Sequence, residues 1–314
     1  MGKCAFVFPG QGSQSVGMGA DLIKTVPEAE KIFKAADTRL GFSLTDLILN
    51  GPEEELKRTE NTQPALLTVS AALHALLSGE GIKADYLAGH SLGEYSALYA
   101  AGVLGFEDAV YAVRERGLLM EAAVPAGRGT MAAVLGLDAA ALKEVCGQAS
   151  AGNESAQIAN LNAPGQIVIS GTVDGVAEAS QLAREAGARR VLPLSVSGPF
   201  HSELMKPAAE KMRRILDGLP FENAKIPVVA NSTAQTETTA DEIRVHLIEQ
   251  LYSPVRWIES VEKLKSLGVD TYIEVGPGRV LSGLIKKIHR GAVILQVNDL
   301  KTLKETAEKL GGRK

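Results

Sequence analysis

The sequence predicts an α/β protein in two units, a large one built on a parallel sheet and a smaller one inserted into it. Three observations predict this. Short β-rich runs alternate with longer helical patterns over most of the chain. Between residues 127 and 197 the rhythm changes to strand, helix, strand, strand, helix, strand. Finally, 314 residues with 45% hydrophobic and 22% charged side chains hold more apolar material than a single core tends to absorb.

The elements follow in order. Residues 4–8 (CAFVF) make the first strand, closed by the turn-forming PGQG. Residues 64–77 carry apolar side chains at 3.6 spacing and predict an amphipathic helix; 86–89 give the next strand and 91–101 the next helix. The inserted unit has strands over 130–135, 157–161, 166–170 and 190–194, with helices over 138–149 and 173–186. This β-α-β-β-α-β order is the ferredoxin-like signature. Linker chemistry flanks it, VPAGRG at 124–129 and SGP at 197–199, so the large domain is expected over 1–126 and 198–314 and the small one over 127–197. Further strands are expected at 226–230, 271–275 and 292–296, each followed by a helical stretch, and the basic tail 301–314 reads as a solvated terminal helix with frayed ends. No internal repeat or low-complexity segment is visible.

Charge narrows the function classes. The 33 basic and 37 acidic residues are scattered and sum to −4, which leaves no electrostatic footprint for nucleic acid. No apolar run approaches the roughly 20 residues of a membrane span, and residues 1–10 lead into a strand without a signal-peptide pattern, so a soluble cytoplasmic protein is expected. Cys4 and Cys146 are far apart and outside any C-x-x-C, which suits a reducing compartment and gives neither a disulfide framework nor a metal site.

The strongest motif is Gly89-His90-Ser91-Leu92-Gly93, a G-x-S-x-G between an apolar strand and a helix. That context is a nucleophile elbow and makes the large unit α/β-hydrolase-like. Glycines flank the serine because a Cβ would clash in so sharp a turn. The helix N-terminus adds free N–H groups beside the hydroxyl, where an oxyanion would develop. The plainer alternative is an N-cap serine between two glycines. A serine nucleophile needs a base, and there are five histidines. His74, His246 and His289 lie in helical patterns and read as structural or surface residues, while His90, next to Ser91, should point away from the hydroxyl by alternation. His201 sits in the loop GPFHS before an amphipathic helix and is the favoured base, against the reading of a surface helix cap. FPGQGSQ at 8–14 follows the first strand, at the edge where α/β sheets bind ligands; neither it nor Gly276-Pro277-Gly278 matches a phosphate loop, so nucleotide binding is rejected.

Together, FPGQGSQ at 8–14, GHSLGEYSAL at 89–98, RERG at 114–117, GPFHSELM at 198–205, EQLYSPVRW at 249–257 and VGPGRVLSGLIKK at 275–287 resemble the malonyl-CoA:acyl-carrier-protein transacylase family of bacterial fatty-acid synthesis, in order and over essentially the whole chain. The resemblance implies Ser91 as acyl acceptor and His201 as its base, with the Gln250 main-chain carbonyl in place of an acidic third member. It implies oxyanion amides from Gln11 and Leu92, and Arg116 as the clamp on the malonyl carboxylate, a position that by itself reads as a solvated arginine beside Arg114. It implies Phe200 as the residue that crowds an α-methyl branch, and Asn160 and Asn162 as contacts to the pantetheine arm. Malonyl-CoA and acyl carrier protein are the expected partners, without a metal or redox cofactor, without nucleic acid or membrane, and with the chain acting as a monomer. The basic cluster Lys286, Lys287 and Arg290 is a candidate dock for an acidic carrier, or a solvated face that complements the helix dipole.

Two rival classes share features of this sequence. A serine esterase or thioesterase carries the same G-x-S-x-G but ordinarily places an acid between serine and histidine in the chain. A non-catalytic carrier-docking module would keep the fold and lose the covalent adduct. An acyltransferase of a polyketide pathway would share the site itself.

Overall fold

The computed structural model describes residues 2–125, 127–150, 152 and 154–311. Residue 126, at the expected domain border, Met1 and the last three residues of the basic tail lie outside the described residues. The strands in chain order are β1 (Lys3–Phe8), β2 (Tyr86–Gly89), β3 (Gly129–Leu135), β4 (Ala156–Ala163), β5 (Gln166–Thr172), β6 (Arg190–Pro193), β7 (Val228–Val229), β8 (Thr236–Glu237), β9 (Val269–Val275) and β10 (Val293–Val297). They form two sheets, ordered β10-β9-β1-β2-β7-β8 and β4-β5-β3-β6. The protein is thus a mixed α/β fold around a parallel-containing sheet.

The large sheet is parallel from β10 to β7, with β1 at its centre between β9 and β2. Its far edge departs from the expected parallel pattern. The strand expected at 226–230 shrinks to Val228–Val229, and the chain then turns back as antiparallel β8 instead of entering a helix. The physical reason is the polar turn Asn231–Gln235, far too short for a parallel crossover, closed by the Ala230 N–H on the Gln235 carbonyl at 3.0 Å and by Ala234 at φ 56°.

Between β1 and β2 the chain packs helices Ala20–Thr25, Pro27–Leu40, Leu44–Asn50 and Glu53–Lys57. Most are too short to show a sustained period, yet they bury Leu22, Phe33, Leu44, Ile48 and Leu56. The helix expected from 64 begins at Thr59 and runs to Gly79, and it is buried on nearly every side through Leu73. Pro64 inside it has no N–H to give the Glu60 carbonyl; Arg114 donates to that carbonyl instead, at 2.7 Å. The terminal helix Leu300–Gly311 is packed, not merely solvated: Leu303 and Thr306 are buried, and the Thr306 hydroxyl donates to the Gln296 carbonyl at 3.0 Å.

The second sheet is antiparallel throughout, with helices Ala139–Ala149 and Val173–Glu185 between its strands. Their apolar faces, among them Val134, Leu142, Ile169, Val176 and Ala179, form a core cluster drawn entirely from this segment. Backbone bonds between β4 and Val255, 2.8 and 2.9 Å long, tie this sheet to the segment of the large unit that leads into helix Trp257–Ser266.

Candidate active site

Parallel strands deliver their carboxyl ends to one edge, and the site is assembled there. β1 leads to Gln11, β2 to Ser91 and β7 to Asn231. Ser91 stands between β2 and helix Leu92–Ala100 with φ 53° and ψ −107°, strained for a residue with a Cβ. The flanking glycines are required by backbone approach: a Cβ on Gly89 would lie 1.9 Å from the Gly93 carbonyl carbon, and one on Gly93 would lie 2.0 Å from the Phe8 oxygen.

Ser91 occupies the N-cap position, but its side chain makes no cap bond. Its Oγ lies 2.8 Å from His201 Nε2. His201 Nδ1 lies 2.8 Å from the Gln250 carbonyl oxygen, which only accepts, so Nδ1 carries the proton and the Nε2 lone pair faces the serine. His201 is itself at φ 57° and buried. Burial, and then the positive charge of Arg116, push its pKa down to about 3, so the imidazole stays neutral.

Arg116 is not a solvated surface residue. It is 1% exposed, with Nη1 donating to Gln63 Oε1 at 2.8 Å and Nη2 to Gln250 Oε1 at 2.8 Å and to Ser91 Oγ at 3.0 Å. All three partners are neutral. Arg114, its neighbour in sequence, is committed elsewhere, on Glu60 and Asn61 and over the Phe42 ring.

These groups face a cavity of about 120 Å³ whose walls include Gln11, Leu92, Met120, Met131, Asn160 and Phe200. Leu92 opens its helix, so its N–H precedes the intrahelical ladder. His90 is among the residues lining the cavity; its ring lies tilted against Trp257 at 5.7 Å between centroids, and its Nε2 lies 2.8 Å from Asn162 Oδ1. Asn162 is therefore engaged by His90, whereas Asn160 borders the cavity. Lys286, Lys287 and Arg290 are exposed at the end of helix Val280–Ile288, outside the cavity wall, with Lys287 Nζ on Gln166 Oε1 at 2.9 Å.

The structure also brings in residues that local sequence patterns do not reveal. Asn231 Oδ1 accepts from the Ser91 N–H at 2.7 Å, and Gln250 Nε2 donates to the Ser91 carbonyl at 3.0 Å, so both sides of the strained residue are clamped. Gln63 fixes Arg116 from a buried helix. The one local signal for Asn231 is its place directly after a strand at the ligand-binding edge.

A hydroxyl on a neutral imidazole, at the end of a parallel strand and beside helix N–H groups, is built to accept an acyl group. Comparison with known proteins agrees. Residues 5–302 match the acyl transferase domain family, and the chain belongs to it. It is 55% identical over 303 residues to the malonyl CoA-acyl carrier protein transacylase of Bacillus subtilis (strain 168), covering 96% of each chain. Its structure is similar to the malonyl CoA-acyl carrier protein transacylase of Coxiella burnetii, with a TM-score of 0.96 and 40% identity over 98% of both chains. It is also similar to a malonyl-transacylase in complex with a type II PKS acyl-carrier protein, with a TM-score of 0.95 and 45% identity over 98% of this chain and 99% of that one.

Proposed function

We propose that this acyltransferase moves malonyl from malonyl-CoA to the phosphopantetheine thiol of acyl carrier protein through malonyl-Ser91. One observation carries the acyl class: a fully buried guanidinium, hydrogen-bonded among the described residues only to neutral groups, lies 3.0 Å from the acyl-accepting hydroxyl. Burying a cation without an anion is costly, and a substrate carboxylate offsets that cost. The planar fork suits both carboxylate oxygens at once.

Ser91 Oγ attacks the thioester carbonyl as its proton passes to His201 Nε2, and the oxyanion rests on the Gln11 and Leu92 amides. The C–S bond breaks, and His201 returns the proton to the departing CoA thiolate. The carrier thiol then attacks malonyl-Ser91 with its proton taken by His201, which hands it to Ser91 Oγ as the ester bond breaks. Neither half changes an oxidation state, so no redox cofactor enters. Phe200 crowds an α-methyl branch, at the roughly 1 to 3 kcal/mol typical of overpacking. Asn160, on the cavity wall, and Asn162, held by His90, are read as contacts to the pantetheine arm. In this reading the large domain, 1–126 and 198–314, is α/β-hydrolase-like, and 127–197 is a ferredoxin-like insert; the separate core cluster of that segment supports the division.

Intact-mass detection of a malonyl adduct, discharged by holo carrier protein, tests the function; steady CoA release into water with no carrier present would make the enzyme a hydrolase. His201→Ala is expected to slow adduct formation by about 100- to 10,000-fold, the range of a positioned base. Protonation disables that base, and its pKa lies near 3. The acid limb of kcat/KM is therefore expected well below pH 6.5, with activity rising as pH increases through it; a limb at 6 to 7 would place the base elsewhere.

Lys286, Lys287 and Arg290 are proposed to meet the acidic carrier. Reversing the charges of Lys286 and Lys287 is expected to raise the carrier KM and flatten its salt dependence while leaving Ser91 acylation unchanged. Unaltered carrier kinetics would assign the cluster to the helix dipole alone.

A further inference from the structure

A buried acid beneath Ser91 joins the two halves of the site. Glu94 lies fully buried in the first turn of helix Leu92–Ala100. Its Oε2 accepts from the Asn231 N–H at 2.9 Å and from Gln250 Nε2 at 2.8 Å. Asn231 grips the elbow at both ends, accepting from the Ser91 N–H and donating to the Gly89 carbonyl at 2.7 Å. Gln250 holds the Ser91 carbonyl, Arg116 and His201. Serine at the N-cap with glutamate three residues on ordinarily makes a capping box, the acid returning to the N-cap N–H. Here Asn231 occupies that N–H, and the acid reaches across to the next element instead.

Among the described residues, the other oxygen, Glu94 Oε1, is buried without a hydrogen-bond partner, and so is Glu237 Oε1. Glu237, on β8, is buried with its Oε2 2.5 Å from Nδ1 of His246, a partly exposed residue. We propose that Glu94 is a positioning residue for acyl transfer: through Asn231 and Gln250 it holds Ser91 and His201 in register.

Burial raises the pKa of Glu94 and of Glu237, and the charge of Glu237 raises that of Glu94 further. Arg116 opposes that rise and Tyr95 lies beside it, while His246 faces Glu237, with Glu242 and Glu249 acting on that side. The inference rests on Ser91 as nucleophile and His201 as base, but not on the identity of the acyl group.

The test uses an alkyl fluorophosphonate that labels activated serines, read by intact mass, with thermal melting to follow folding. Glu94→Ala is expected to slow labelling of Ser91 on the order of 100-fold, the scale of an ångström-sized misplacement. Glu94→Gln, which keeps an acceptor toward Asn231 and Gln250, should recover most of that loss. Burial raises the Glu94 pKa to about 8, so wild-type labelling should also decline as pH rises through that value and a charge forms in the buried network, and the glutamine variant should lack that decline. Labelling of Glu94→Ala within twofold of wild type overturns the proposal. If that variant fails to fold, identical pH profiles for wild type and Glu94→Gln overturn it. A wild-type Ser91 that never labels removes the nucleophile assignment and this role with it, whereas labelling without a malonyl adduct removes only the acyl assignment.

Discussion

Ser91→Ala is expected to abolish the malonyl adduct and reduce transfer to carrier protein by at least about 10,000-fold, the loss typical when a covalent nucleophile is deleted. The fold should survive. Alanine keeps the Cβ, so it meets no more strain at φ 53° than serine already bears. The bonds that hold this turn are made by the backbone of residue 91, to Asn231 and Gln250, and remain in place. Only the hydroxyl's links to His201 and Arg116 disappear, and neither is a helix cap. Melting should therefore stay within about 1 kcal/mol of wild type, the usual net worth of a hydrogen bond. Intact mass after incubation with malonyl-CoA is the measurement. An adduct that persists on the alanine variant would place the acyl acceptor elsewhere.

Much of this site was legible because its chemistry is local. The G-x-S-x-G pentapeptide carries its strand, its turn and its helix within about fifteen residues, and the structure places that strand at Tyr86–Gly89 and that helix at Leu92–Ala100. His201 emerged by elimination among five histidines. Arg116 is different: nothing around RERG distinguishes it from Arg114, and burial is decided by Gln63, Gln250 and Ser91, which are distant in sequence. Asn231 and Glu94 imitate commonplace patterns, a polar turn and a capping box, and only tertiary contact shows what they hold. The edge hairpin was hidden for a related reason. Two-residue strands such as Val228–Val229 and Thr236–Glu237 have no period to read, and their pairing follows from the turn between them.

Arg116→Ala is expected to lower malonyl transfer by about 150- to 5,000-fold, the equivalent of the roughly 3 to 5 kcal/mol lost when one member of a buried ion pair is removed. In the variant, the substrate carboxylate would enter a water-poor cavity and find only Gln63 and Gln250, whose side-chain oxygens repel it. Acetyl transfer should behave differently. The neutral acyl group has no use for the cation, and removing Arg116 lifts one of the three influences, beside burial and His90, that hold the His201 pKa low, so the base becomes stronger. Ser91 Oγ loses one donor but keeps His201. Acetyl transfer is thus expected to hold or improve, and the ratio of kcat/KM for malonyl-CoA to that for acetyl-CoA should fall by at least about 100-fold. Arg116→Lys should restore part of the ratio, because an ammonium supplies charge without the two-pronged geometry. An equal fall for both substrates would make Arg116 a structural strut beneath Ser91, and since Arg114 is occupied by the Glu60 carbonyl, the carboxylate clamp would then have to come from outside the RERG segment.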